Sequence, residues 1–218
     1  AVTFAEATAG VAAKFGAFVR TRSTLSVSIT AAGAQKSTIS AYSALLNGAT
    51  YSGASFTTGT LNVAGSNTLT VTVTDSRGRT ATTTKTVTVL AYDPPKLTAF
   101  SAERCNADGS VAQMDGTKVR ISASATASAV GNKNSLTCTV YYRTRGAEAW
   151  ATARTLTAAN YAISATNALL TQTFDALSSY ELKISVTDAF YTVEQTAEIG
   201  TKQVMIDLYK DGTGIAFG

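Results

Sequence analysis

Cys105 and Cys138 are the only thiols in this 218-residue chain, and histidine is absent. Together these facts remove His-based triads, His general acid–base chemistry and His or Cys zinc sites. The 14 acids are sparse and mostly sit beside turn residues. A carboxylate pair for glycoside hydrolysis is assembled in three dimensions, so sequence spacing does not decide it. Asn106-Ala-Asp108-Gly-Ser110 has the look of half a calcium loop. Counted from Asn106, the twelfth position, where an EF-hand needs a bidentate acid, is Thr117. The stretch therefore reads as a polar turn, and so does Asp211-Gly212. Gly212-Thr-Gly214-Ile-Ala-Phe-Gly218 is not a dinucleotide fingerprint, because its third glycine comes one position late in a hairpin context. Neither a phosphate loop nor a G-x-S-x-G elbow occurs. Ser and Thr hydroxyls are plentiful, but none has an evident base. The expectation is a protein that is not an enzyme, with no catalytic, cofactor-binding or metal residue, no cofactor, and binding residues unassigned.

The two cysteines either pair across a sandwich or sit as two separate buried thiols, and the second is the ordinary state of a chain with so few. Net charge is +4. The cations are scattered, with small foci at Arg20-Thr-Arg22, Arg77-Gly-Arg79 and Arg143-Thr-Arg145. None is a dense patch interleaved with aromatics, so no nucleic-acid partner is expected. No apolar run approaches the ~20 residues of a helical membrane span, so no membrane partner is expected. Trp150 is either a core-edge residue or an exposed binding aromatic.

Any such residues must be positioned by strands. Thr and Val alternate through much of the chain, a pattern that favours sheets. Leu69-Thr-Val-Thr-Val-Thr-Asp75 and Leu182-Lys-Ile-Ser-Val-Thr-Asp188 both end in Val-Thr-Asp. Each is followed by a turn and a second alternating run, Thr80–Val89 and Thr192–Ile199. This is the pattern expected of the last two strands of an Ig-like sandwich, with Asp accepting backbone hydrogen bonds in the turn. Further strands are expected near Thr24–Ala31, Ile39–Leu46, Ser52–Phe56 and Gly59–Leu61. In the second half they are expected near Lys96–Cys105, Thr117–Ala127, Leu136–Arg145, Ala151–Leu156 and Leu169–Phe174. Leu136, Cys138, Val140 and Tyr142 share one strand face, and Leu182, Ile184 and Val186 another, so these are core candidates.

The two prolines are adjacent, at Pro94 and Pro95, and read as a stiff interdomain linker. The fold class expected is all-β: two tandem Ig-like or fibronectin-III-like β-sandwiches plus a C-terminal β-hairpin. The first module covers 1–91, the Pro-Pro linker 92–96, the second module 97–202 and the hairpin 203–218. Residues 1–14 are open to a helix or to the tail of a preceding module, but without a clean 3.6-residue period they read as irregular or as a first strand. A Lys210-Asp-Gly-Thr-Gly214 turn lies between Val204–Tyr209 and Ile215–Phe217, which is a hairpin signal. Val204–Tyr209 is expected to pair at a sheet edge or beyond the second sandwich, with Gly214–Gly218 less tethered. Both chain ends read as cut from something longer.

Three segments together resemble the Ig-like modules of siphophage and prophage minor structural proteins of the tail tip or baseplate. Val73-Thr-Asp-Ser-Arg-Gly-Arg-Thr-Ala81 is similar to the turn that closes such modules, with Tyr92 and Pro94 following. Arg104-Cys-Asn-Ala-Asp-Gly-Ser110, with Asp115-Gly-Thr117 and Asn132-Lys-Asn134, resembles the run in the next module, although Asp115 stands where that pattern often has Glu. Asp207-Leu-Tyr-Lys-Asp-Gly-Thr-Gly-Ile-Ala-Phe-Gly218 resembles the element that leads to a further domain. The resemblance spans about residues 20–218 and brings no catalytic residue with it. It implies a virion location in a phage tail and a structural spacer or host-adhesion role. The implied partners are other tail or baseplate proteins, copies of the chain itself, or host cell-wall glycan. An Ig-like repeat of a bacterial surface adhesin and a carbohydrate-binding accessory module are the alternatives.

Overall fold

The computed structural model describes residues 1–201, 206–208 and 213–217. The chain forms two compact units. The first comprises Ala1–Asp93 with Ser128–Asn134, and the second the remainder from Pro94. Tyr92, in the first unit, and Pro95, in the second, are both buried.

The first unit contains β1 (Val2–Glu6), α1 (Val11–Phe15), β2 (Phe18–Val19), β3 (Leu25–Ile29), β4 (Ile39–Leu46), β5 (Ala49–Ser52), β6 (Ser55–Thr57), β7 (Gly65–Asp75) and β8 (Thr80–Leu90). One sheet has the order β1-β3-β6 and the other β2-β8-β7-β4-β5. Leu25, Val27 and Ile29 of β3 share a core with Leu69 and Val71 of β7 and Val87 and Val89 of β8. Burial of each such side chain contributes roughly 1.5–3 kcal/mol before entropy is counted. The threonines between them face outward, and Thr72 meets Thr82 at 3.0 Å between hydroxyls. Asn47 (φ 50°) and Gly48 (φ 82°) make the tight β4–β5 turn, since both positions lie in the left-handed region that a type I′ hairpin demands.

Three expectations change here. Residues 1–14 contain a first strand, β1, but also the start of a one-turn helix. α1 lies between Gly10 and Gly16, both at positive φ, and buries Val11 and Phe15. A segment this short shows no 3.6-residue period, so the pattern could not select the helix from the alternatives. Ser52–Phe56 is not one strand. β5 ends at Ser52, Gly53 turns at φ 96°, and β6 joins the opposite sheet. Gly59–Leu61 is not a strand either. Leu61 is buried, and its N–H donates to the Ser23 carbonyl.

The second unit contains β9 (Lys96–Cys105), β10 (Lys118–Thr126), β11 (Leu136–Thr144), β12 (Ala151–Leu156), β13 (Ala162–Leu169), β14 (Tyr180–Asp188) and β15 (Thr192–Ile199). The sheets are β13-β10-β9 and β12-β11-β14-β15. Val119, Ile121, Ala123 and Ala125 alternate inward from β10 against Cys138, Val140, Leu182, Ile184 and Val186. Leu136 and Tyr142 pack at the margin of that core. All neighbouring pairs in both sheets are antiparallel. Strands one, two and five thus face strands three, four, six and seven, a fibronectin-III-like form of the Ig-type sandwich. The protein is all-β, with two Ig-like sandwiches in tandem.

The expected strand at Leu169–Phe174 is a correction. The strand is β13, and it stops at Leu169. Leu170 and Phe174 are fully buried from the connection that follows, with Phe174 edge-on to Tyr180 at 5.1 Å and to Tyr142 at 5.4 Å. Their apolar spacing reflects a plugged sandwich end.

Beyond these sheets, β16 (Ile206–Leu208) pairs antiparallel with β17 (Ile215–Phe217), Ile206 opposite Phe217. They form a two-stranded sheet of their own. Of the expected Lys210–Gly214 turn, residues 210–212 lie outside the described residues, as do Val204, Met205 and Tyr209 of the preceding run and Gly218.

Candidate functional site

The paired Val-Thr-Asp segments are the first place where polar chemistry converges. In the first unit the Asp75 carboxylate accepts from the N–H groups of Arg77 (2.9 Å) and Arg79 (3.0 Å) and from the Arg79 Nε (2.8 Å). The hydrogen bond from the Arg79 side chain is the main reason its pKa falls far below the usual carboxylate range; burial opposes the shift. In the second unit Asp188 accepts from the N–H groups of Phe190 and Tyr191, each at 2.8 Å. Both acids accept backbone N–H groups of their own turns, as the pattern suggested.

Asn106–Ser110 is the second place. Asp108 accepts from the Ser110 N–H (2.8 Å) and hydroxyl (2.6 Å), and Asn106 donates to the same hydroxyl (3.0 Å). Gly109 turns at φ 84°. Those bonds, the side-chain one first, lower the Asp108 pKa. Among the described residues no three His, Cys, Asp or Glu side chains gather as a metal site would require.

The arginine two residues before this loop carries more weight than its sequence signalled. Arg104 is 3% exposed. Its guanidinium donates to the carbonyls of Gly116 (2.9 Å), Phe174 (3.2 Å), Asp175 (3.0 Å), Ser178 (2.7 Å) and Gly200 (2.8 Å). It also lies 5.9 Å from the Tyr180 ring centroid. One planar cation thus satisfies carbonyls from three connections at one end of the sandwich. An arginine in a strand gives no hint of this, because its acceptors come from distant parts of the chain.

The three basic foci are likewise occupied. Arg20 donates to the Tyr92 carbonyl and pairs with Asp93 at 2.7 Å, while Arg22 lies 5.1 Å from the Tyr92 ring centroid. Arg77 donates to the Gln35 carbonyl, and Arg79 pairs with Asp75. Arg143 bonds Glu181, and Arg145 approaches Glu198 at 3.8 Å.

Trp150 is half-buried on the outer face of the four-stranded sheet. The Arg143 guanidinium lies 4.3 Å from its ring centroid and the Lys183 ammonium 5.2 Å; Lys183 is also 5.5 Å from Tyr141. Lys183 pairs in turn with Glu194 at 3.2 Å. The patch is a cation–π ladder tied by ion pairs, which fixes the ring and takes up part of the surface a sugar would stack on.

Cys105 and Cys138 are separate free thiols, both buried. Burial raises both pKa values, that of Cys138 to about 11, so neither is a poised nucleophile.

No curated protein matches the sequence. Among solved structures, the chain is similar to a Ca2+-stabilised adhesin that helps an Antarctic bacterium reach out and bind ice, with 16% identity and a TM-score of 0.45 over 97% of this chain and 52% of that one. It is also similar to three N-terminal domains of the highly immunogenic outer capsid protein of bacteriophage RB49, with 13% identity and a TM-score of 0.38 over 91% and 67% of the two chains. A third likeness is to the fibronectin(III)-like modules of CbhA from Clostridium thermocellum, with 16% identity and a TM-score of 0.30 over 93% and 95%. The chain spans about half the length of the first of these, 52%. A family described as "Siphovirus protein of unknown function (DUF859)" matches residues 4–217, and the chain belongs to that family.

Proposed function

We propose that this chain is a non-enzymatic contact module of a siphophage tail, working as a spacer or adhesion element near the tail tip. Family membership across residues 4–217 is the observation that carries this reading, because it ties nearly the whole chain to siphoviruses. The structure adds support of another kind. The conspicuous polar groups, Asp75, Asp108, Asp188 and Arg104, are engaged in holding turns and strand ends. The partners in this reading are other tail or baseplate proteins and copies of the chain itself, met through sheet surfaces and edges. Glycan contact is the weaker arm, since cations crowd the Trp150 ring.

Mass spectrometry of purified particles of a phage encoding the chain tests the reading. The chain is expected in stoichiometric amount with the tail proteins. Its absence from purified particles would overturn the proposal.

A further inference from the structure

Every sheet edge leaves unpaired N–H and C=O groups, and proteins blunt such edges with short strands, charges, bulges or proline. Most edges of this protein follow that rule. β1 has five residues, β5 four and β6 three. β9 carries Lys96 and Glu103 and a register shift against β10. β12 carries Arg154 and a register shift that leaves Ala153 without an opposite residue in β11, and β13 has a shift and Asn167 at φ 50°. β15 carries Glu194 and Glu198.

β8 departs from it. Its partner β7 pairs with it over ten consecutive positions without a shift, Gly65 opposite Val89 through Thr74 opposite Thr80. On its other side, among the described residues, β2 covers only Val89 and Leu90. The seven residues between turn and core, Thr80-Ala-Thr-Thr-Thr-Lys-Thr86, are all exposed. Lys85 is the single charge among them. The Leu90 carbonyl accepts from the Arg20 N–H, on the side away from β7. Strand alternation then puts the N–H and C=O groups of Thr80, Thr82, Thr84 and Thr86 on that same open side. Two cavities of about 330 and 260 Å³, which share Ala32, Val73 and Ala81, lie along the inner face of this stretch.

We propose that the open edge of β8 is a self-association site, at which Thr80–Thr86 pairs antiparallel with the same segment of a second copy about a two-fold axis through Thr83. The segment is self-complementary in this register. Thr82 meets the partner's Thr84 and Thr80 meets the partner's Thr86, each as a hydrogen-bonded pair. Their side chains lie on the outer face, where they extend the threonine row that Thr72 and Thr82 already begin at 3.0 Å. Lys85 faces the partner's Ala81, so its stem lies over the apolar cavity lining while its ammonium reaches water. The two Lys85 positions are then roughly 13 Å apart along the strands, farther than the ~8 Å screening length of physiological salt. Arg79 is already paired with Asp75 and Arg77 with the Gln35 carbonyl, so the rim makes no call for an acidic foreign strand. The contact is isologous and closes on itself, giving a dimer and not a fibre. One strand pair is a small interface, so an affinity of roughly micromolar order is expected. Net charge of +4 opposes approach, so added salt favours the dimer.

This inference specifies one partner within the contact-module reading. Absence of the chain from virions would end that reading and leave a measured dimer standing; a strictly monomeric chain would end this inference alone. Sedimentation velocity of the 218-residue chain across a wide concentration range is the test, with Thr84→Pro and Thr84→Val beside it. The Thr84 N–H points away from β7, so proline there removes no hydrogen bond of the monomer. The expected result is a monomer–dimer equilibrium weakened more than tenfold by Thr84→Pro and unchanged by Thr84→Val. Hydrogen exchange on the unsubstituted chain is the second readout, with the amides of Thr82 and Thr84 gaining protection as concentration rises. A chain that stays monomeric throughout, or a dimer in which those two amides gain no protection, overturns the proposal.

Discussion

Arg104 donates its Nε to the carbonyl of Gly200 at 2.8 Å, joining the last turn of β9 to the residue just after β15. The same guanidinium serves four other carbonyls. The end of the second sandwich from which the chain continues toward β16 is therefore organised around one buried cation.

Replacing that cation should be costly. Arg104→Met leaves several buried carbonyls unpaired and is expected to destabilise the second unit by about 3–5 kcal/mol. Arg104→Lys should recover only part, because three donors on a flexible stem cannot meet five acceptors. Urea unfolding of both variants checks this. Equal stability of Arg104→Met and the unsubstituted chain would contradict the clamp.

Asp75 should make the first unit acid-labile. Its pKa is held down in the fold, chiefly by the hydrogen bond from Arg79, against an ordinary value of 3.8. A depressed folded pKa stabilises the fold above the unfolded value and loses that contribution as pH falls through the folded one. The loss therefore begins near pH 4 and grows below it. Asp75→Asn should lower stability at neutral pH and flatten the acid limb, as read by thermal melts along a pH series.

The thiols should be inert until the protein opens. With a pKa of about 11, Cys138 is thiolate in about one molecule in a thousand at pH 8. Native protein is expected to resist iodoacetamide at both cysteines. Protein in guanidinium should label at both, and non-reducing electrophoresis should show no internal crosslink. Rapid labelling of the native chain would contradict the burial described.

Trp150 offers a built-in optical reporter, since it is the chain's one tryptophan. A double-mutant cycle of Trp150→Ala and Arg143→Ala should give a coupling of about 0.5–1 kcal/mol, the range of a partly exposed cation–π contact. Host-wall polysaccharide should leave its fluorescence unchanged. Saturable quenching would instead favour a sugar site on this face.

The fold was legible where one face of a strand is buried and the other wet. Ile39–Leu46, Lys96–Cys105 and Ala151–Leu156 were read to their terminal residues because period-two alternation and turn residues agree there. β13 was not, because Ala162–Leu169 is rich in alanine and polar residues, whereas the apolar spacing that follows belongs to the plugs Leu170 and Phe174. α1 was too short to show a period. The turn roles of Asp75 and Asp188 were visible in the repeated Val-Thr-Asp. The role of Arg104 was not, since its acceptors are carbonyls that only tertiary structure gathers. The open edge of β8 was also hidden, because an alternating strand reads the same whether or not a neighbour covers it.

Immunogold electron microscopy of intact particles, with an antibody against this chain, bears most directly on the proposed virion role. The account predicts gold at the tip of the tail and none on particles from which the gene has been deleted. Label confined to the surface of the bacterial cell, with bare tails, would contradict it.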